Sequence, residues 1–183
     1  MTREEWLNSM LGEFKRLLSG TNIVWPDTKK IRISCGWPSR KALTRKSRRL
    51  GECHNAIASA DGSNEIFVSP IVEDVIRVMA ISLHEVVHAL DDCVSGHGGW
   101  FASSMKSLGF VGKITVSEPG TELTIRLNDI ASRLGPYPHR ALEPSTQEKK
   151  QGTRLIKVIC PLCGYIVRIT RQWIEVGLPV CPC

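Results

Sequence analysis

Residues 84–88 read His-Glu-Val-Val-His. Two histidines four residues apart project from one face of a helix roughly 6 Å apart, so both imidazoles can reach one metal ion. Glu85 follows the first of them and lies within reach of a water activated there, the position of a general base. In a chain of 183 residues with five His, this pattern is expected by chance roughly 0.01 times. A catalytic zinc site needs a third protein ligand. Asp92 is one turn beyond His88 but about 12 Å from His84 along a straight helix, too far for one ion to hold both. Asp91 points to a different face. His97 fits better, because Gly96 lets the chain leave the helix with positive φ, and Gly98 and Gly99 let it fold back beneath the ion. The chemistry predicted from His84, His88, His97 and Glu85 is metal-assisted hydrolysis.

A second ligand set stands at the other end. Cys160, Cys163, Cys181 and Cys183 crowd the last 24 residues, while Cys35, Cys53 and Cys93 are scattered. Cys160-Pro-Leu-Cys163-Gly reads as a zinc knuckle, and the 17 residues between Cys163 and Cys181 suit a ribbon hairpin. The closing Cys181-Pro-Cys183 has one residue between its sulfurs where ribbons usually have two. Four thiolates leave no open position, so this second zinc is expected to be structural. Cys35, Cys53, Cys93 and His54 lack ligand spacing and read as packing residues.

The elements that must position these groups follow from periodicity and punctuation. Residues 2–19 read as a helix capped by Thr2 with Glu5 completing a capping box, ended by Gly20, with Leu7, Met10, Leu11, Phe14, Leu17 and Leu18 on one stripe. Residues 31–35 and 65–69 alternate like strands. Ser69-Pro70 reads as the start of the helix that carries the HEVVH run, which Gly96 stops. Further helices are expected at about 99–108 and 120–134. The three prolines and sparse apolar residues of 135–152 mark a linker, and YIVRITRQWIEV (165–176) reads as alternating strand.

The net charge of +6 is unevenly spread: residues 28–51 hold nine Lys or Arg and no acid, whereas residues 52–144 hold six basic and twelve acidic groups. The run RKALTRKSRR contributes Arg40, Lys41, Arg45, Lys46, Arg48 and Arg49. It is either a solvated face or a contact for nucleic-acid phosphates. The second reading gains from the basic C-terminal arm and from Trp37 and Trp173, which can stack on bases. Without a groove-reading motif, such binding is expected to be independent of sequence. The most apolar stretch, Ile71 to Leu90, carries too much charge to cross a bilayer. MTREEWLNSM lacks the succession of a signal peptide, so an intracellular, cytoplasmic home is expected, that of a host cell if the chain is viral.

At these residues the chain resembles the SprT-like (Spartan-related) zinc metallopeptidases. The resemblance rests on HEVVHAL followed by GHGGWF, with the third His nine residues after the second. It extends to GEC at 51–53, EIFVSP at 65–70, CGWPS at 35–39, GPYPH at 135–139 and the C-terminal ribbon. It is nearest to a phage or bacterial branch. It implies an α+β, zincin-like core with HExxH on the active-site helix, over residues 1–134, then a linker at 135–152 and a zinc ribbon at 153–183. It also implies that His84, His88 and His97 hold a catalytic zinc, that Glu85 is the acid/base, and that substrate lies along an edge strand matching Glu65 to Ser69. Two zinc ions per chain are thus expected, with a protein substrate at or near DNA. Two alternatives stand beside this endopeptidase reading. One is a nucleic-acid-binding regulator that uses the core and ribbon as a scaffold, against which the intact Glu85 argues. The other is a zinc hydrolase with a non-peptide substrate.

Overall fold

Thr2 opens the first helix, α1 (Arg3–Ser19). Its hydroxyl accepts the Glu5 N–H at 3.2 Å, and the Glu5 carboxylate accepts the Thr2 N–H at 2.6 Å, the reciprocal box expected from sequence. The apolar stripe of this helix is buried through Trp6, Leu7, Met10, Phe14 and Leu18. The computed structural model describes residues 1–44, 46–143 and 154–183. They belong to two units, Met1–Pro144 and Ser145–Cys183. The described residues are mixed α+β, with five α-helices and three small sheets.

In the first unit, β1 (Ile31–Cys35), β2 (Gly51–His54) and β3 (Asn64–Val68) form a sheet in the order β1-β3-β2. β1 runs parallel to β3, pairing Ile33 with Ile66, and β2 runs antiparallel to it, pairing Cys53 with Ile66. The segment expected to be an edge strand, Glu65 to Ser69, is therefore central and paired on both sides. Among the described residues the outer edge of β2 is unpaired.

α2 (Val75–Leu90) packs on β2 and β3 and carries the HEVVH run. It begins later than Ser69-Pro70 suggests. Asp74 is the cap, its carboxylate accepting the Arg77 N–H at 2.8 Å. The Ser69 N–H is taken by Leu50 O, and Pro70 O accepts the Leu142 N–H at 2.8 Å, so the Ser-Pro pair is held outside the helix by contacts from elsewhere in the chain. α2 also ends before Gly96. Asp92 and Cys93, with φ of 55° and 64°, turn the chain away.

α3 (Gly99–Leu108) ends on left-handed Gly109, and a short pairing of β4 (Phe110–Val111) with β5 (Glu118–Pro119) leads to α4 (Thr121–Leu134). α4 packs on α1 and α2. Residues 135–143, read from sequence as the start of a linker, lie on the first unit. Trp6 Nε1 donates to Gly135 O at 3.1 Å, and the buried Tyr137 ring sits 4.9 Å from that of Trp6. The remainder of that stretch, 144–152, lies outside the described residues.

The second unit pairs β6 (Ile156–Ile159) with β7 (Ile166–Ile169) antiparallel, followed by α5 (Arg171–Val176). Residues 171–176 are thus helical and not strand: Thr170 O accepts the N–H groups of Trp173 and Ile174 and starts a helical turn. No helix among the described residues is long and apolar enough to cross a membrane.

Candidate metal centre

α2 is fixed by its apolar residues. Val78, Met79, Leu83, Val86 and Val87 are buried, which leaves His84 and His88 on one face with ring centroids 4.9 Å apart. The turn after α2 then has to bring His97 back to them. Asp92 holds that turn. Its Oδ1 accepts the Ala56 N–H at 2.8 Å and Asn64 Nδ2 at 2.9 Å, and lies 3.6 Å from Lys29 Nζ. Two successive non-glycine residues in the left-handed region are uncommon and strained, and this network holds them there. Gly96 and Gly99 supply the remaining positive φ values, 52° and 49°. Asp92 is thus an anchor and not a ligand.

The result is a convergence of three ring nitrogens. His97 Nε2 lies 3.2 Å from His84 Nε2 and 3.3 Å from His88 Nε2. A tetrahedral zinc with nitrogen ligands at about 2.0–2.1 Å needs them about 3.3 Å apart. Three lone pairs facing one another this closely repel unless a cation or a proton lies between them. The surroundings disfavour a second proton on any of these rings. Burial and the neighbouring rings lower the His84 pKa to about 3 and that of His88 to about 4, and burial lowers that of His97 too, which leaves neutral imidazoles, the form that binds metal. These residues can hold a metal ion, and the donor set fits zinc.

Phe101 completes the frame. Its ring stacks on His88 at 3.9 Å with an interplanar angle of 13°, and it meets His84 and His97 edge-on at 4.9 and 5.3 Å. His84 Nδ1 is buried and has no hydrogen-bond partner among the described residues, so aromatic packing orients that ring. From sequence Phe101 read only as an apolar position of the third helix. Its place four residues after His97 was the available signal.

Glu85 faces the same cleft, a space of about 670 Å³ that also exposes the three histidines. Burial pushes its carboxyl up to about 8, and a dication beside it would draw the value down again. Gly51 on β2 lies directly against it. A Cβ there would stand 2.6 Å from Glu85 Oε1 and 2.6 Å from Ile81 Cγ2, so only glycine fits. The far wall is residues 113–117, held to α2 by Arg77, whose guanidinium donates to Val116 O and Ser117 O, each at 2.9 Å.

The basic segment divides. Lys41, Arg48 and Arg49 line the cleft, whereas Arg40 and Lys46 are exposed and do not; Arg45 lies outside the described residues. Arg49 pairs with buried Glu52, which also accepts the Ser39 N–H at 2.6 Å. Arg49 is therefore partly spent on holding β2, a role that a count of charges does not reveal.

In the second unit the four cysteine sulfurs converge. Cys160 Sγ lies 3.8 Å from Cys183 Sγ, and Cys163 Sγ lies 3.3 Å from Cys181 Sγ. Zinc–sulfur bonds of about 2.3 Å require sulfurs about 3.8 Å apart. Gly164, with φ of 76°, closes the knuckle by donating its N–H to Cys160 O at 3.0 Å. The backbone N–H groups of Cys163 and Leu162 lower the Cys160 thiol to about 6, towards the thiolate that a metal needs. The single residue between Cys181 and Cys183 does not prevent all four from meeting, and this group too can hold a metal ion.

No protein-family model, curated protein or solved structure matches this chain.

Proposed function

We propose that the first unit is a zinc-dependent endopeptidase of the SprT-like, zincin kind. The observation that carries this reading is the meeting of three neutral imidazoles on a cleft into which Glu85 also opens. A zinc ion there would polarise a scissile carbonyl and lower the pKa of a water towards 7. Glu85 takes the proton from the attacking water and returns it to the leaving amine. β2 supplies the free sheet edge along which an extended peptide pairs by its main chain, giving affinity with little sequence demand. Phe101 and the Asp92-anchored turn keep His88 and His97 in place while this happens. The ribbon zinc, enclosed by four thiolates, has a structural role.

Glu85→Gln tests this directly. It should reduce cleavage of an unfolded protein substrate by about 10²–10⁴-fold while leaving metal content and melting unchanged, because Glu85 is not a ligand. Cleavage at the wild-type rate would overturn the mechanism.

A second feature supports a place of action. Lys41 and Arg48 stand on the wall of the same cleft, which suits a protein substrate held at DNA and equally suits the alternative of a nucleic-acid-binding regulator. DNA affinity should fall with salt on a log–log slope of about −0.9 for each duplex phosphate contacted. Lys41→Ala with Arg48→Ala should flatten that slope alike for all sequences, while Arg49 is left to hold Glu52. An unchanged slope would remove DNA from the reading. Binding without any proteolysis would favour the regulator.

A further inference from the structure

Two cysteines that the proposed hydrolysis does not use meet on the floor of the cleft. Cys53 lies on β2 and Cys93 in the turn after α2, 40 residues apart, yet their sulfurs are 3.5 Å from each other. Both are partly exposed and both line the cleft beside Glu85, so a small molecule can reach them. The contact is held from both sides. β2 is fixed by its ladder to β3, and the turn is fixed in its left-handed conformation by the bonds from Asp92 to Ala56 and Asn64. The Cys93 N–H is itself bound to His88 O at 2.8 Å.

We propose that Cys53 and Cys93 form a reversible redox pair, oxidised through the cleft by a low-molecular-weight disulfide such as oxidised glutathione, and that the resulting bond locks β2 to the turn that feeds His97. One thiol, as thiolate, attacks the glutathione disulfide, forming a mixed disulfide and expelling one glutathione thiolate. The second thiolate attacks the protein sulfur of that mixed disulfide, forming the Cys53–Cys93 bond and expelling the second glutathione. The protein loses two protons and two electrons, and the glutathione disulfide gains them as two thiols. The sulfurs must close from 3.5 Å to about 2.05 Å, a movement within the reach of side-chain rotation and a small shift of the turn. The bond ties the sheet edge proposed to receive substrate to the arm that carries the third histidine. Its formation is independent of what the cleft hydrolyses.

The test uses the full chain supplied with zinc, so that the ribbon thiols are occupied. The protein is equilibrated with oxidised and reduced glutathione, remaining thiols are alkylated, and fragments are identified by mass. The expected product takes up two fewer alkyl groups than the reduced protein, carries a linked Cys53–Cys93 fragment two mass units lighter than the two free fragments together, and loses that link with dithiothreitol. Cys53→Ser and Cys93→Ser should each lose that product. Closing a loop of about 40 residues should raise the melting temperature of the oxidised wild type by about 5–10 °C. Full alkylation of both cysteines under oxidising conditions would overturn the pairing, as would a bond from either to Cys35 or to the ribbon. A linked product with unchanged melting would overturn the locking.

Discussion

The two ligand clusters are built in opposite ways. The three histidines are the product of a fold: α2 has a buried face of its own, Phe101 stacks under the rings, and Asp92 ties down the turn that delivers His97. The four cysteines stand in a unit whose described residues include no fully buried side chain. Without an apolar interior a hairpin and one short helix have little to hold them. One unit therefore builds a group that can hold a metal, and in the other a metal would have to hold the unit together. The same contrast separates their chemistry. Three ligands on a cleft leave room for a reacting group, and four thiolates leave none.

Chelation gives the largest test of this difference. Structural zinc in small thiolate sites is worth about 10–16 kcal/mol of apparent binding free energy. Stripping metal should therefore unfold residues 154–183 while residues 1–143 remain folded. Amide exchange read by mass should show β6 and β7 losing all protection and α1, α2 and β3 keeping theirs. Protection of β6 and β7 in metal-free protein would contradict the comparison.

His97→Ala sharpens it from the other side. His97 is exposed and lies outside the core, so the first unit should fold as before. Its metal should bind more weakly by more than the about 10–100-fold that outer partners of a metal centre are worth. Metal analysis should find about two ions per chain in the parent and one, in the ribbon, in the variant. Two tightly held ions in the variant would remove His97 from the ligand set.

The smallest effect concerns what holds the first unit together without metal. Glu13 on α1 is buried and its carboxylate accepts Arg133 of α4 at 2.9 Å, with Arg16 beside it. The Arg133 hydrogen bond keeps the Glu13 carboxyl below the ordinary carboxylate range. A depressed folded pKa adds stability above the unfolded value and loses it as pH falls through the folded one. Glu13→Gln should cost about 1–3 kcal/mol at neutral pH, and the gap between parent and variant should narrow on acidification below about pH 4. Denaturant melts at pH 7 and pH 3 read both numbers. A gap that stays constant would mean that charge is not what Glu13 contributes.

What could be read from sequence was mostly what lies within one turn of itself, and His97, nine residues after His88, was legible through the glycines around it. The Thr2–Glu5 box and the His84–His88 spacing are local geometry, and the structure carries both as read. The Cys160–Cys163 knuckle is local too, and the distant Cys181 and Cys183 could be added because only one partner set was available. The misreadings came where a distant segment decided between two local signals. Ser69-Pro70 and Asp74 are both good helix starts, and Leu142, arriving from the far end of the unit, takes the Pro70 carbonyl and leaves the start to Asp74. Glu65 to Ser69 alternates as a strand does, but its place at an edge came only from the resemblance, and which strand is central is decided by the pairing of β2 on one side and β1 on the other. In residues 165–176 the alternation runs on past the point where Thr170 caps a turn. The Asp92 network, which reaches Lys29 63 positions away, and the meeting of Cys53 with Cys93 join distant residues and leave no trace in spacing.

The missing side chain at Gly51 has a mechanical consequence. With Ile81 and Glu85 already at the distance where a methyl group would collide, strand and helix are separated by one hydrogen atom and have no slack to absorb a displacement. A push of β2 towards α2 is met at once by Ile81 and by the Glu85 carboxylate. The strand can press on the helix but cannot draw it outward, so Gly51 sets how closely the two approach and where the Glu85 carboxylate comes to rest between them.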